Sequence, residues 1–152
     1  MITFLLQSKI TLLDIKMSGN EEIDNTKFLF TFTKNILNSD RSIRWVGITD
    51  QNGIIINERD REGLKPFLTI EENHEWAIRT IARHKTRFKH ESKMGKLTYL
   101  FRRYTRMSRC LIPINNDNYY LIFTMDFDQY NFDKIITEKI IPLIKQEKEK
   151  FS

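Results

Sequence analysis

The chain has 152 residues, a formal net charge of +5, 40% apolar residues with eleven Phe, five Tyr and two Trp, and 30% charged residues. That length supplies one domain with a core that needs no disulfide or metal, and the composition argues against disorder except at the ends. No stretch approaches the roughly 18 consecutive apolar residues of a membrane span, and the single cysteine, Cys110, sits in an apolar strand-like run, which suits a reducing cytoplasm and a buried structural thiol.

The first residues, Met1-Ile2-Thr3-Phe4-Leu5-Leu6, lack the basic region and cleavage site of a secretory signal. Residues 1–19 read as an N-terminal extension, with Met17 as an alternative start, because Ser18 and Glu21 have capping-box spacing and Asp24 is a second candidate cap. A helix is expected from about Glu21 to Asn38. Phe28-Leu29-Phe30-Thr31-Phe32 alternates like a strand, but Leu29, Phe32 or Thr33, and Ile36 also form a helical stripe and the length favours helix.

Ile43 to Thr49 and Ile54 to Asn57 flank Asp50-Gln51-Asn52-Gly53, and an Asn-Gly between two β-branched runs predicts a hairpin. The charged stretch from Glu58 to Pro66 is expected to be an ordered surface loop, punctuated by Gly63 and Pro66. Thr69 to Glu72 forms another capping box, and Ala77 or Ile78, Ile81, Ala82, Lys85 and Phe88 predict an amphipathic helix from Ile70 to about Lys89. Three strands follow, starting at Leu97 to Phe101, Arg109 to Ile114 and Tyr119 to Met125, with Asn115 to Asn118 as a hairpin loop. Phe132, Ile135, Ile136, Ile140, Leu143 and Ile144 trace a terminal helix with a kink expected at Pro142 and Asp128 or Asn131 as its cap. Residues 149–152 read as a polar tail.

The order α-β-β-α-β-β-β-α over residues 20–148, as a single α+β domain, resembles the roadblock/LC7 fold, related to longin and profilin-like domains. Ile43 to Ile48, Arg61-Glu62-Gly63-Leu64-Lys65-Pro66-Phe67-Leu68, Met94 to Leu97 and Arg102-Arg103-Tyr104 are similar to an uncharacterised archaeal family of small proteins. The roadblock resemblance implies a five-stranded antiparallel sheet carrying helices, homodimerisation, and service as a scaffold or regulator of small GTPases. This chain differs from the familiar pattern in its basic character and its N-terminal extension.

From Arg79 to Arg109 there are eleven Lys or Arg against one acid, Glu91, while the rest of the chain is net acidic. Positive charge gathered in this way suits polyanions: nucleic-acid phosphates, an anionic headgroup or an acidic protein. Arg83, Arg87, Lys89, Arg102, Arg103 and Arg106 are the candidate contacts. The helix dipole offers a plainer account of the helical bases, since Glu71, Glu72 and Glu75 stand at the opposite end. Arg102 and Arg103 are neighbours on a strand, so one should point inward or mark a bulge.

Arg61, Glu62 and Lys65 form the second candidate, a charged loop held by Gly63 and Pro66 that serves either binding or as an ion-paired tether between hairpin and helix. His74, His84 and His90 lack i, i+4 spacing and no cysteine pair joins them, so no metal is expected. Asp126, Asp128 and Asp133 match no EF-hand, and the five glycines form no phosphate loop, so no cofactor is expected either. Together with what the resemblance implies, the expectation is a non-enzymatic regulatory or scaffold module, homodimeric and cytoplasmic, with a protein partner; the alternative is nucleic-acid binding through residues 79–109.

Overall fold

A computed structural model describes residues 12–126 and 131–151, with the side chains of 12–24 outside the description. Helix α1 (Leu12–Asn38) leads into the hairpin β1 (Ile43–Asp50) and β2 (Ile55–Asp60), then α2 (Ile70–Lys85), a 3₁₀ turn at Phe88–His90 and a helical turn, α3 (Glu91–Met94). Strands β3 (Leu100–Arg103), β4 (Met107–Ile114) and β5 (Tyr119–Asp126) complete one antiparallel sheet in the order β2-β1-β5-β4-β3. The expected α+β architecture is the one observed.

The sheet is covered on both faces, and strand alternation assigns each residue to its layer. Val46, Ile48, Cys110, Ile112, Ile114, Leu121, Phe123 and Met125 face α1 and the C-terminal helical run. Trp45, Leu111, Tyr120 and Ile122 face Ala77 and Ile81 of α2. Each large apolar side chain fully buried in this way contributes roughly 1.5–3 kcal/mol.

The run Phe28 to Phe32 is helical because its inward residues are Phe28, Leu29 and Phe32, spaced for a helix. Phe28 and Phe32 close on the ring of Phe151 at 5.1 and 5.0 Å, while Phe30 points out beneath the guanidinium of Arg59, 4.0 Å away. Phe151 corrects the expectation of a polar tail at 149–152: it lies in the 3₁₀ turn Lys148–Phe151, is 1% exposed and accepts a hydrogen bond from Asn115 at its carbonyl. An aromatic placed where three rings already meet gains enough apolar burial to hold the turn.

Several boundaries differ from those expected. Helix α1 begins at Leu12, so Ser18 and Glu21 lie inside it and the boundary at residue 19 falls within a helix. Strand β2 runs through Glu58, Arg59 and Asp60, and the loop starts only at Arg61. The third strand starts at Leu100, not Leu97; continuing its register with β4 would set Thr98 opposite Pro113, which has no N–H to offer a ladder.

The inward stripe of α2 is Asn73, Ala77, Thr80, Ile81 and His84, and Ile78 and Phe88 are exposed rather than buried. Its capping box forms, with Thr69 Oγ1 accepting from the Glu72 N–H at 3.1 Å and the Glu72 carboxylate accepting from the Thr69 N–H at 2.9 Å. The terminal helix is broken into α4 (Phe132–Lys134), a π-helical segment Ile135–Ile140 and α5 (Ile141–Gln146), with Pro142 in the first turn of α5. The wider π turn meets the residue that cannot donate, in place of a simple kink. Asn131 stands at the cap position without a side-chain cap bond, and Asp128 lies outside the described residues.

Two tethers fix the hairpin. Arg61 donates from Nε to the Ile43 carbonyl (2.7 Å) and from Nη2 to the carbonyls of Leu37 (2.6 Å) and Asp40 (2.9 Å), closing the C-terminal end of α1 and binding it to the start of β1. At the other end Gly53 adopts φ +85 in the β1–β2 turn, and a Cβ there would stand 2.9 Å from the Ile78 Cα of α2. Glycine is required twice over, by conformation and by space.

Replacing Gly53 with Ala should therefore lower stability by about 2–4 kcal/mol, strain and overpacking together. The same change at Gly63, where φ is +82 but no atom lies within 4 Å of an added Cβ, should cost only about 1 kcal/mol. Urea denaturation of both variants measures the difference, and equal losses would refute the contact with α2. Arg61→Met should cost about 2–4 kcal/mol in the same experiment, because several carbonyls lose a charged donor.

Candidate functional site

The candidate bases do not form one surface. Helix α2 ends beside the hairpin tips: His84 Nε2 meets the Asp117 carboxylate at 2.8 Å, and Lys85 Nζ meets the Asn52 side chain at 3.4 Å. Arg83 and Arg87 are therefore at that end, Arg87 donating to the Arg83 carbonyl at 3.0 Å, and Lys96 joins them by a 3.0 Å bond to Asn116. Lys89 is exposed on the 3₁₀ turn that follows. Arg102, Arg103 and Arg106 stand around the β3–β4 turn, at the opposite end of β4. The eight residues of β4 separate the two groups by roughly 25 Å.

Of the neighbouring arginines, Arg102 lies half-buried on the α2 face opposite Arg109, and Arg103 is exposed. In the loop, Arg61 is occupied as a tether, Glu62 is exposed, and Lys65 is exposed with its carbonyl accepting from Arg44 at 3.3 Å. Arg61 binds the end of α1 and the start of β1 through backbone carbonyls, not the helix that follows the loop.

The unusual residue is Arg109. It alternates with Met107 and Leu111 on the α2 face of β4 and is 2% exposed. Its guanidinium lies 4.0 Å from the Trp76 ring and 5.4 Å from the Trp45 ring, so both aromatic faces support the cation. Nη2 donates to Asn73 Oδ1 at 2.8 Å, whereas Nε and Nη1 have no hydrogen-bond partner among the described residues. No carboxylate among those residues pairs with it. Burial pulls its pKa down to about 10, against a smaller opposing influence from Tyr104. A buried cation without a counter-ion is expensive, which makes this the least conventional polar group in the fold.

Local sequence explains the arrangement. Gly47 leaves room for the Trp45 indole, since a Cβ there would come within 2.6 Å of it, and the indole N–H reaches Glu58 at 3.4 Å. Asn73 and Trp76 come from the first turns of α2, which the Thr69 cap fixes in position. Beside them opens a narrow cleft of about 20 Å³ between the inner wall of Trp45, Asn73 and Thr124 and an outer wall formed by the 64–68 loop. Arg44 and Arg61 also line it, Arg44 already paired with Asp126 at 3.0 Å, and Asp60 faces it with a carboxyl raised above its ordinary value by burial and then by Glu58.

The sequence reading counted Arg109 among the surface bases and passed over Asn73 and Trp76. The available signal was the strand itself: Met107 to Ile112 is a run buried on both faces, so an arginine inside it has no outward position to take.

No family model and no curated protein matches the sequence. Solved structures do match in shape. A structure described as MglB with tetrameric arrangement superposes at a TM-score of 0.66 with 9% identity, over 84% of this chain and 93% of that one. The gliding protein MglB from Thermus thermophilus gives 0.61 with 10% identity, over 84% and 87%. A roadblock/LC7 domain from Streptomyces avermitilis gives 0.61 with 6% identity, over 78% and 93%. At such identities the likeness is one of architecture, and the architecture of this chain is the roadblock/LC7 fold.

Proposed function

We propose that the protein is a non-enzymatic regulatory or scaffold module, cytoplasmic, that works as a homodimer and engages a protein partner. The observation that carries this reading is the outward side of α2. Ile78 is 46% exposed and Ala82 is exposed one turn beyond it, while Ile70, at 62%, Phe88 and Met94 are further exposed apolar side chains on α2 and the turns that follow it. The charges are arranged about Ala77, beside Ile78: Glu71 and Glu75 on one side, Arg79 and Arg83 on the other, with Glu75 and Arg79 paired within the helix at 2.8 Å. In an antiparallel two-fold pair of α2 helices, Glu71 would meet Arg83 of the second copy and the Glu75–Arg79 pairs of the two copies would face each other. An isologous interface requires that self-complementarity.

Other features support the reading. A structure of this fold is described as a tetrameric arrangement. The cysteine and two of the three histidines are tied up: burial pushes the Cys110 thiol up, and His74 and His84 are bonded to Glu58 and Asp117. No described helix is long and apolar enough to cross a membrane. The fold suggests a small GTPase as the first class of protein partner to test. The separation of the two basic groups disfavours one continuous nucleic-acid track.

Light scattering of the wild type should give the dimer mass. The variants E71K/E75K and R79E/R83E should each be monomeric, and an equimolar mixture of the two should recover the dimer. A monomeric wild type, or reversals that leave the mass unchanged, would refute pairing through α2. A mass increase on adding a mixed-sequence oligonucleotide, lost as salt rises, would transfer the reading to polyanion binding.

A further inference from the structure

We propose that the groove across the free end of β4 binds a single-chain amphipathic anion, an alkyl carboxylate whose chain lies on aliphatic side chains and whose head meets Lys145 and Lys148. The groove exists because the edge of the sheet is incomplete. Strand β3 pairs with β4 only from Ser108 to Leu111, so Ile112, Pro113 and Ile114 pair with β5 on one side and face no further described strand on the other. Pro113 offers no N–H to such a strand, which accounts for where the pairing ends. The chain leading into β3 turns instead toward the α2 layer, where Leu97 packs against the core of that side, while Ile141 and Ile144 belong to the opposite layer. The two layers thus stand apart along the edge of β4, with residues 112–114 as the floor between them.

Size and lining select the occupant. The volume is about 350 Å³, at the small end of the roughly 300–1,000 Å³ of ligand sites, which gives room for one short alkyl chain but not for the two chains of a phospholipid. Leu97, Ile112, Ile114, Ile141 and Ile144 make the floor and walls aliphatic, so a chain laid there is held by the apolar area it removes from water. The polar residues at the end of the groove are already engaged: Asn115 donates to the Phe151 carbonyl at 2.7 Å, and Asn116 accepts from Lys96 at 3.0 Å. Lys145 and Lys148 differ from them. Both line the groove and neither has a hydrogen bond or ion pair among the described residues, whereas Lys139 and Lys150 nearby in the chain are paired with Asp40 and Glu147. No acid among the described residues lines the groove. Two uncompensated ammonium groups beside an apolar trough complement a carboxylate, and their stems lengthen the apolar wall while the heads stay in water. A neutral or cationic amphiphile gains the apolar part alone.

Decanoate is the probe, and carbon-13 spectra of the isoleucine methyl groups in the full chain report where it binds. Below its micellar range, decanoate should move the signals of Ile112, Ile114, Ile141 and Ile144 saturably and leave those of Ile54, Ile70 and Ile78 fixed. The last three are exposed elsewhere on the protein and register indiscriminate adsorption. Butanoate, a head with little chain, and decyltrimethylammonium, the chain with the opposite charge, should each bind at least about tenfold more weakly. The variant K145E/K148E changes only exposed side chains and should weaken decanoate about tenfold or more. T98W, also at an exposed position on the wall, should fill the groove and abolish binding while the Ile54 and Ile78 signals keep their places. Equal shifts at Ile78 and Ile141, equal affinity for the cationic amphiphile, or undiminished decanoate binding in either variant would overturn the proposal.

Discussion

Strand β5 is the constraint on which the rest of the molecule depends. It is the middle strand of five, and Tyr120, Leu121, Ile122, Phe123 and Met125 are all buried, so apolar side chains leave it in both directions. A strand of that kind is stable only between two covering layers. Helix α1 and the C-terminal helical run form one of them and enclose a contiguous core of Leu29, Phe32, Ile36, Ile135, Ile136 and Ile140. On the other side the sixteen residues of α2 must cover most of the sheet alone.

The second layer is thinner, and polar groups collect there. Asn73, Thr80 and His84 of α2 are buried against a sheet face that carries Thr49, Thr124 and Arg109. Trp45 fills the space that a single helix leaves, and it can do so because Gly47 offers no side chain beneath it. The same indole and that of Trp76 hold the guanidinium of Arg109. Packing and polarity thus meet in α2, whose inner face borders the cleft and whose outer face bears the exposed isoleucines.

Much of the fold was legible in the sequence because its signals are local. The Asn52-Gly53 turn, the Thr69 to Glu72 capping box and the Asn115 to Asn118 loop each specify backbone geometry over a few residues, and each occupies its expected place. What could not be read depends on distant neighbours. Phe151 is buried because Phe28, Phe32 and Tyr119 converge on it from two other elements, and nothing in Lys148-Glu149-Lys150 announces that. The basic segment reads as one patch along the chain, yet folding sends Arg83 and Arg106 to opposite ends of β4 and turns Arg109 inward. Charge density in sequence does not fix charge density in space. Asn73 passed unnoticed because an asparagine on a helix is ordinarily solvated, and its role appears only once the guanidinium is placed against it.

The proposed pairing of α2 helices is tested most directly by intermolecular distances between single spin labels, measured by double electron–electron resonance. Cys110 is buried, so a cysteine introduced at Ala82 or at Thr86 can be labelled selectively. An antiparallel pair centred on Ala77 predicts one narrow distance for each label, shorter at Ala82 than at Thr86, because separation grows by about 3 Å for each residue away from the two-fold axis. No intermolecular signal, or distances that do not change along the helix, would contradict it.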